Sequence, residues 1–503
     1  MNYRENPPVL KSVQNQQNGT KPWRAEQQGP TGFARTVRVR DADVKRAAFD
    51  LAQNEPMRSA ASGVSRVQMI LIWVISLLFV VSLLLDSALI LRVAHIGLRA
   101  IFGFAILFKL LILATHFWPK PKQQQQQTCK PEPEPEQWPI YTILLPVYRE
   151  AYILPKLVEA IEQINYPVER LDIKLLLEFD DAETLSVARQ LKLRSNWEIL
   201  RVPNIGPRTK PKALNVGLAR AKGQFVTIYD AEDRPHPDQL RASVMEFAKG
   251  GTKLACVQAP LGYFNRKQNW LTRQFSLEYD AQFQVVLPAL TRLGLAFPLG
   301  GTSNHFRRTA LDSSGGWDPY NVTEDADLGF RLAEKGWRSG VISPPTMEEA
   351  TAGLLPWTGQ RSRWIKGFIQ TLGVHLRGGL PGGTLRHAVG FFAQLGLSVF
   401  SSFAHGLLLL AAVLCVACWP FGGPLPNLFD LALGVGGVLL TWALIITGSS
   451  ATNTRVNPIL IASTIFYWPL QTWAAIRAII GLLRDPFHWE KTSHGHSLDN
   501  QWE

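Results

Sequence analysis

Acidic residues fall in the middle of the chain where strands would end. Asp180 and Asp181 close the run DIKLLLEFDD, and Asp230, Glu232 and Asp233 close GQFVTIYDAED. Glu324 and Asp325 follow in NVTEDADLGFRLAEKGW, where Thr323 has the chemistry of a helix N-cap and Gly336 that of a helix stop. A carboxylate in a first helical turn is held ionised by free N–H groups and the helix dipole. Further on, Gln360-Arg361-Ser362-Arg363-Trp364 sets guanidinium groups beside an indole on one expected helix. Strand-end carboxylates can hold a divalent cation, which offsets the charge of a diphosphate. A separate carboxylate can take a proton as general base, and an arginine can grip phosphate oxygens in a fork. This inventory suits sugar transfer from a nucleotide diphosphate. Taken singly, a strand-end Asp is more often a turn former. The ordered set carries the reading.

These residues need a sheet to hold them. Between Tyr141 and about Trp364, β-type runs (YTILLPVY, DIKLLLEFDD, GQFVTIYDAED) alternate with helical stretches (LPKLVEAIEQI, KALNVGLARAK). That alternation predicts an α/β domain with a mostly parallel sheet. Ligands bind such sheets beyond the carboxyl ends of the strands, where both acidic clusters fall.

The rest of the 503 residues is unlike a soluble protein, with 46% hydrophobic and only 18% charged residues. Residues 1–66 read as a disordered cytosolic tail with no cleavable signal peptide, and 67–118 as a transmembrane hairpin. Residues 119–138, with a Gln run and a Pro-Glu alternation, read as a linker to the catalytic domain at 139–365. Residues 366–387 are expected to be interfacial, 388–449 a second hairpin, and 450–485 interfacial or re-entrant helices. Segments 388–418 and 431–449 hold no Lys, Arg, Asp or Glu and approach the roughly 20 residues that cross a bilayer. Arg92 and Arg99 fit this four-span arrangement poorly, because it puts them in an outer turn. The net charge of +12 is assigned to anionic lipid heads or a nucleotide-sugar, with no nucleic acid partner. Four cysteines exclude a disulfide framework, and Cys415-x-x-Cys418 lies in an apolar run without a second ligand pair.

In chain order PVYRE (146–150), FDD (179–181), KALN (212–215), DAED (230–233), VQAP (257–260), GGTSN (300–304), TED (323–325) and QRSRW (360–364) resemble membrane-embedded family 2 glycosyltransferases. That group includes bacterial cellulose synthase and hyaluronan synthase. The resemblance implies a GT-A fold and an inverting transfer assisted by Mg²⁺ or Mn²⁺. It puts Asp180 and Asp181 at the uridine end of a UDP-sugar, and Asp230 with Glu232 or Asp233 on the metal. Asp325, with Glu324 beside it, becomes the base. Lys212, Gln360 and Arg363 meet the diphosphate, and Trp364, with Thr302 and Ser303, meets the acceptor. FHWEKTSHG (487–495) is similar to a gating loop in relatives, which implicates Lys491, Thr492 and His494. The implied protein is a multi-pass enzyme of the inner membrane, with its catalytic domain and both termini in the cytosol. Its expected acceptor is a growing β-linked polysaccharide, with glucose the first-choice sugar. The alternative is a non-processive enzyme that glycosylates a lipid. A secretion partner or a second copy is left open.

Overall fold

The computed structural model describes residues 32–119, 135–379, 381, 384–421 and 427–488. The strands are β1 (Arg35–Arg38), β2 (Tyr141–Val147), β3 (Leu171–Glu178), β4 (Trp197–Val202), β5 (Phe225–Ile228) and β6 (Arg234–Pro235). They continue with β7 (Leu254–Gln258), β8 (Leu261–Tyr263), β9 (Asn304–Arg307), β10 (Arg338–Val341) and β11 (Thr346–Glu348). Eight form one sheet in the order β1-β4-β3-β2-β5-β9-β7-β10. Every neighbouring pair is parallel except those made by β9, which runs against β5 and β7. Strand β3 is buried at all its positions, as expected of a parallel strand covered on both faces. Its one cation, Lys174, is neutralised inside the sheet by Asp172 at 2.8 Å and Glu198 at 2.7 Å. A smaller sheet, β6-β11-β8, stands beside the carboxyl end of β5.

The amino-terminal region corrects the expectation of a disordered tail up to residue 66. Strand β1 adds to the sheet edge beside β4, pairing Arg35 with Glu198 and Arg38 with Arg201. Helix α1 (Asp41–Asn54) then buries Val44, Ala48 and Leu51 at helical spacing. An edge strand keeps one side in solvent and so tolerates the arginines that made RTVRVR look like coil.

Helices α2 (Arg66–Leu85) and α3 (Ser87–Phe117) make the first apolar hairpin. The turn between them is Asp86, whose carboxylate caps α3 by accepting from Leu89 N–H at 2.9 Å. Arg92 and Arg99 therefore lie within α3 and not in the turn. Arg99 is neutralised by a fork onto Asp430, at 2.7 and 3.0 Å.

The helices that shape the site are α4 (Lys210–Ala219), α5 (Trp270–Ala281), α6 (Glu324–Glu334) and α7 (Leu354–His375). After them come α8 (Leu397–Cys418), α9 (Leu428–Ala451) and α10 (Thr464–Arg484). Among the described residues five helical stretches are long and apolar enough to cross a membrane by length and composition, the last being Pro458–Arg484. Both ends of that last stretch rest on site-shaping helices, α5 and α7. Gln274 donates to Leu460 O at 2.8 Å, and Lys366 donates to Asp485 O at 3.1 Å. Between these points α10 packs Ala474, Ala475 and Ala478 against Ile365, so it lies along α7. Residues 120–134 of the expected linker, and Lys491, Thr492 and His494, lie outside the described residues.

Candidate active site

Strand β5 runs into Tyr229 and then the turn Asp230-Ala231-Glu232-Asp233. Asp230 and Glu232 line a cavity of about 1530 Å³ at the carboxyl edge of the sheet. Asp233 turns inward and is 2% exposed. Its Oδ2 accepts from Asp230 N–H at 2.7 Å and from the Thr302 hydroxyl. Burial, reinforced by the charges of Asp230 and Glu232, pushes its carboxyl well above the usual range. The choice between Glu232 and Asp233 is thus separated: Glu232 is on the cavity wall, and Asp233 braces the turn.

The lysine that reaches this wall is Lys210, not Lys212. Lys210 Nζ lies 2.5 Å from Asp230 Oδ1 and donates to Gly301 O at 2.7 Å. Burial alone would lower its pKa, but the carboxylates of Asp230, Glu324 and Asp325 outweigh that and push it up. Residues two apart on a helix project about 200° from one another. Lys212 therefore points into the domain, fully buried, 3.0 Å from Glu178 Oε1. Its expected place on the donor is corrected.

Glu324 and Asp325 open α6 and both line the cavity. Burial pushes Glu324 up to about 7, with the Asp325 charge adding to it, and burial raises Asp325 as well. Thr323 stands at the N-cap position but makes no side-chain cap bond. Its hydroxyl donates to Asn321 Oδ1 at 3.4 Å and its side chain packs against Gly367. A Cβ on Gly367 would sit 2.3 Å from Thr323 Oγ1, so only glycine lets α7 approach α6 this closely. Gly336, with φ 79°, ends the chain segment that follows α6.

Helix α7 brings Gln360, Arg363 and Trp364 to the same cavity. Gln360 accepts from the Thr351 hydroxyl at 3.1 Å. Burial pushes Arg363 down while the charges of Glu324, Asp325 and Asp230 pull it back up. Trp364 lies nearly parallel to Tyr279, with ring centroids 6.4 Å apart, and Arg361 stands 4.7 Å from the Trp364 ring. Arg361 is itself held by a fork onto Glu278 and by Tyr467 Oη at 3.0 Å.

Asp180, Asp181 and Ser303 are not on the wall. Asp181 caps the helix that follows it, accepting from Thr184 N–H at 3.1 Å and from Arg149 N–H at 2.5 Å. Asp180 pairs with Arg208 at 3.1 Å. Thr302 is on the wall, but its hydroxyl is committed to Ile228 O and Asp233. Ser303 is corrected: it is fully buried, and its hydroxyl donates to Thr346 Oγ1 at 2.6 Å. Sequence reasoning missed Lys210, Glu278 and Glu348, all on the wall. Glu348 ends β11 as the strands above end in acids, so the strand-end rule applied to TMEEA would have found it.

The cavity does not stop at the catalytic domain. It continues between α3, α8 and α9 as far as His95, Arg99 and Asp430. Residues 225–446 match the family described as Glycosyl transferase family group 2. Those residues carry a family 2 glycosyltransferase domain. This glycosyltransferase is similar to a beta-monoglucosyldiacylglycerol synthase of Synechocystis sp., 27% identical over 383 residues, 73% of this chain and 77% of that one. It is 28% identical over 237 residues to a probable glucomannan 4-beta-mannosyltransferase 6 of Oryza sativa subsp. japonica, covering 46% of this chain and 41% of that one. The chain thus spans less than half the length of that second relative. In fold the glycosyltransferase is similar to mannosyltransferase PcManGT of Pyrobaculum calidifontis, solved with GDP-Man and Mn²⁺. The TM-score is 0.51 at 19% identity, covering 78% of this chain and 99% of that one. The fold is GT-A.

The acidic wall also fits a divalent cation. Asp233 Oδ1 and Glu348 Oε1 are buried without a hydrogen-bond partner, and Asp230, Glu232, Asp233 and Glu348 repel one another. Among the described residues no three such side chains form a ready cage. Mg²⁺-type sites, however, use one or two carboxylates and take their remaining ligands from substrate phosphates and water.

Proposed function

We propose that this glycosyltransferase moves a hexose from a nucleotide-sugar, with inversion, onto an acceptor that enters through the intramembrane cavity. The observation that carries this is one cavity bounded by Asp325, Arg363, Lys210 and Asp230 at one end and by membrane helices at the other. Asp325 takes the proton from the acceptor hydroxyl. The freed oxygen bonds to the anomeric carbon as its bond to the donor phosphate breaks, and that electron pair leaves on the nucleotide diphosphate. Arg363 and Lys210 face the departing charge as preorganised donors. Asp230 and Glu232 would hold Mg²⁺ or Mn²⁺, which when bound neutralises diphosphate charge.

A membrane lipid is the acceptor that the cavity favours, because most of its intramembrane wall is apolar, as at Phe102, Leu409 and Leu439. The similarity to a lipid glucosyltransferase over 73% of the chain points the same way. A growing β-linked glycan, with UDP-glucose as donor, is the second reading. It is favoured by the Trp364 indole stacked at the cavity wall beside Arg361 and by the likeness to a glucomannan enzyme. Either reading puts the catalytic domain and both termini on the cytosolic face of the inner membrane.

Radiolabelled transfer from a panel of UDP- and GDP-sugars by the purified full chain, with Mg²⁺ or Mn²⁺, tests the proposal. Lipid-extractable product favours the first acceptor, and long β-glycosidase-sensitive product favours the second. No transfer and no hydrolysis with any donor would overturn the enzyme reading.

A further inference from the structure

The cavity is larger than a small-molecule site needs, which is roughly 300–1,000 Å³; here it is about 1530 Å³. Its lining changes character with depth. Gln394, Ser398, Ser401 and His405 follow one another at helical spacing along a single stripe, and all four line it. Beyond His405 the same stripe turns apolar, through Leu408, Leu409 and Ala412. Facing the polar half, Lys109 of α3 donates to the Thr441 hydroxyl of α9 at 2.7 Å. Among the described residues Lys109 forms no ion pair, although three apolar helices surround it. An ammonium in such surroundings is costly unless an oxygen-rich partner meets it. His405 is backed by Trp468, with centroids 5.4 Å apart, so its ring is fixed at the same level.

A channel for a hydrated polymer needs hydrogen-bond partners along its whole length. Here they line the half next to the catalytic carboxylates and return only at the far end, where His95 and Arg99 are tied to Asp430, with an apolar stretch through Leu408, Leu409 and Ala412 between. A two-chain lipid matches the polar half and the apolar stretch after it: a polar head, an oxygen-rich junction of ester or phosphate groups, and then hydrocarbon.

Building on the lipid-acceptor reading above, we propose that Lys109, Thr441, His405 and Ser401 form a collar that binds the oxygen-rich junction of a two-chain lipid. The collar holds the head toward Asp325, and the acyl chains lie along the apolar outer half of the cavity. Lys109 donates to ester or phosphate oxygens, and Thr441, whose own proton goes to Gly437 O at 2.8 Å, holds the ammonium in place. Ser401 and His405 fix how deep the lipid sits and thereby where its hydroxyl lies relative to the base.

The test uses the full chain in phosphatidylcholine nanodiscs with a diazirine-bearing diacylglycerol. After irradiation the adducts are mapped by peptide mass spectrometry. Expected are adducts on α3 near Lys109 and on α8 near His405, in excess over those on the outward face of α2 around Trp73. Lys109→Met should lower the collar adducts about tenfold, the worth of one hydrogen bond to a charged group. Unlabelled diacylglycerol and phosphatidic acid are the competing arms. Stronger protection by the first names the ester oxygens, and by the second the phosphate. Collar labelling no higher than on α2, equal labelling in the variant, or protection by a soluble β-linked oligosaccharide would each overturn the collar. Because the map of the unaltered protein stands without any variant, a misfolded Lys109→Met does not decide the matter. Donor turnover, as hydrolysis or transfer and read on the same preparation, separates the two ideas. Hydrolysis or transfer without collar labelling sinks the collar alone, and labelling with neither hydrolysis nor transfer from any donor sinks the transferase reading alone.

Discussion

Asp325 and Glu324 sit side by side in a buried wall and cannot both ionise cheaply. Two carboxylates in that relation titrate as a pair. The base must lose its proton to act, so kcat/KM is expected to rise with pH along a limb lying above the ordinary carboxylate range, because burial raises Asp325. Glu324→Gln removes the neighbouring charge and should move that limb to lower pH, which a pH–rate series measures. Asp325→Asn should cost about 10²–10⁴ in kcat, the range for loss of a positioned base, with donor binding retained by calorimetry. The two lysines of KPKALN should separate cleanly. Lys210→Met is expected to lower kcat/KM by about 10- to 100-fold. Lys212→Met, which strands Glu178, should lower stability by about 3–5 kcal/mol in denaturant titration and spare the chemistry. The acids of the site were legible because strand ends and helix starts announce them in sequence. The lysine was not, since Lys210 and Lys212 offer the same chemistry and only the phase of the helix chooses between them. Ser303 misled for a related reason. Its hydroxyl is committed to Thr346, a partner 43 residues away that no local pattern reveals.

At the scale of elements, the site depends on two helices held at fixed distance. Helix α6 carries Glu324 and Asp325, and α7 carries Gln360, Arg363 and Trp364. They touch at Thr323 and Gly367 near the chemistry, and again at the far end of α7. There the His375 ring bonds Asp327 at 3.1 Å and Glu334 at 2.6 Å, while Arg331 also holds Asp327. Gly367→Ala must force the two helices apart, at a cost of about 1–3 kcal/mol. Its signature should be a fall in kcat with a smaller change in donor affinity. Burial opposes a charge on His375, but the two carboxylates win and raise it to about 9 from an ordinary 6.5. A group raised on folding contributes fully below its unfolded pKa and loses that contribution as pH climbs through its folded one. Stability should therefore decline between about pH 6.5 and 9, and His375→Gln should flatten that decline in unfolding midpoints taken across the range. The alternation of strands and helices was readable because period and turn chemistry are local. The edge strand β1 was not. Its arginines read as coil until β4, about 160 residues later, supplies the partner.

The whole molecule is a soluble domain and an apolar helical bundle that share one continuous cavity. At the bundle end the cavity is bounded by Arg99 and Asp430, with His95 at 3.0 Å from the same carboxylate. If this cluster holds α3 to α9, Arg99→Met and Asp430→Asn should each lower the thermal midpoint of the detergent-solubilised chain. The double variant should fall no further than the worse single one, as a double-mutant cycle reads for partners in one interaction. The place of β1 bears on how such a molecule is made. Synthesis delivers Arg35–Arg38 first, then both helices of the first hairpin, and only much later the strand that β1 pairs with. The leading segment must wait unpaired while the hairpin behind it is made. It can close the sheet only from the far edge, after the hairpin and β4 have been made. The hairpin is thus caught between two parts of one sheet, and completing the domain staples the apolar hairpin to it from both sides.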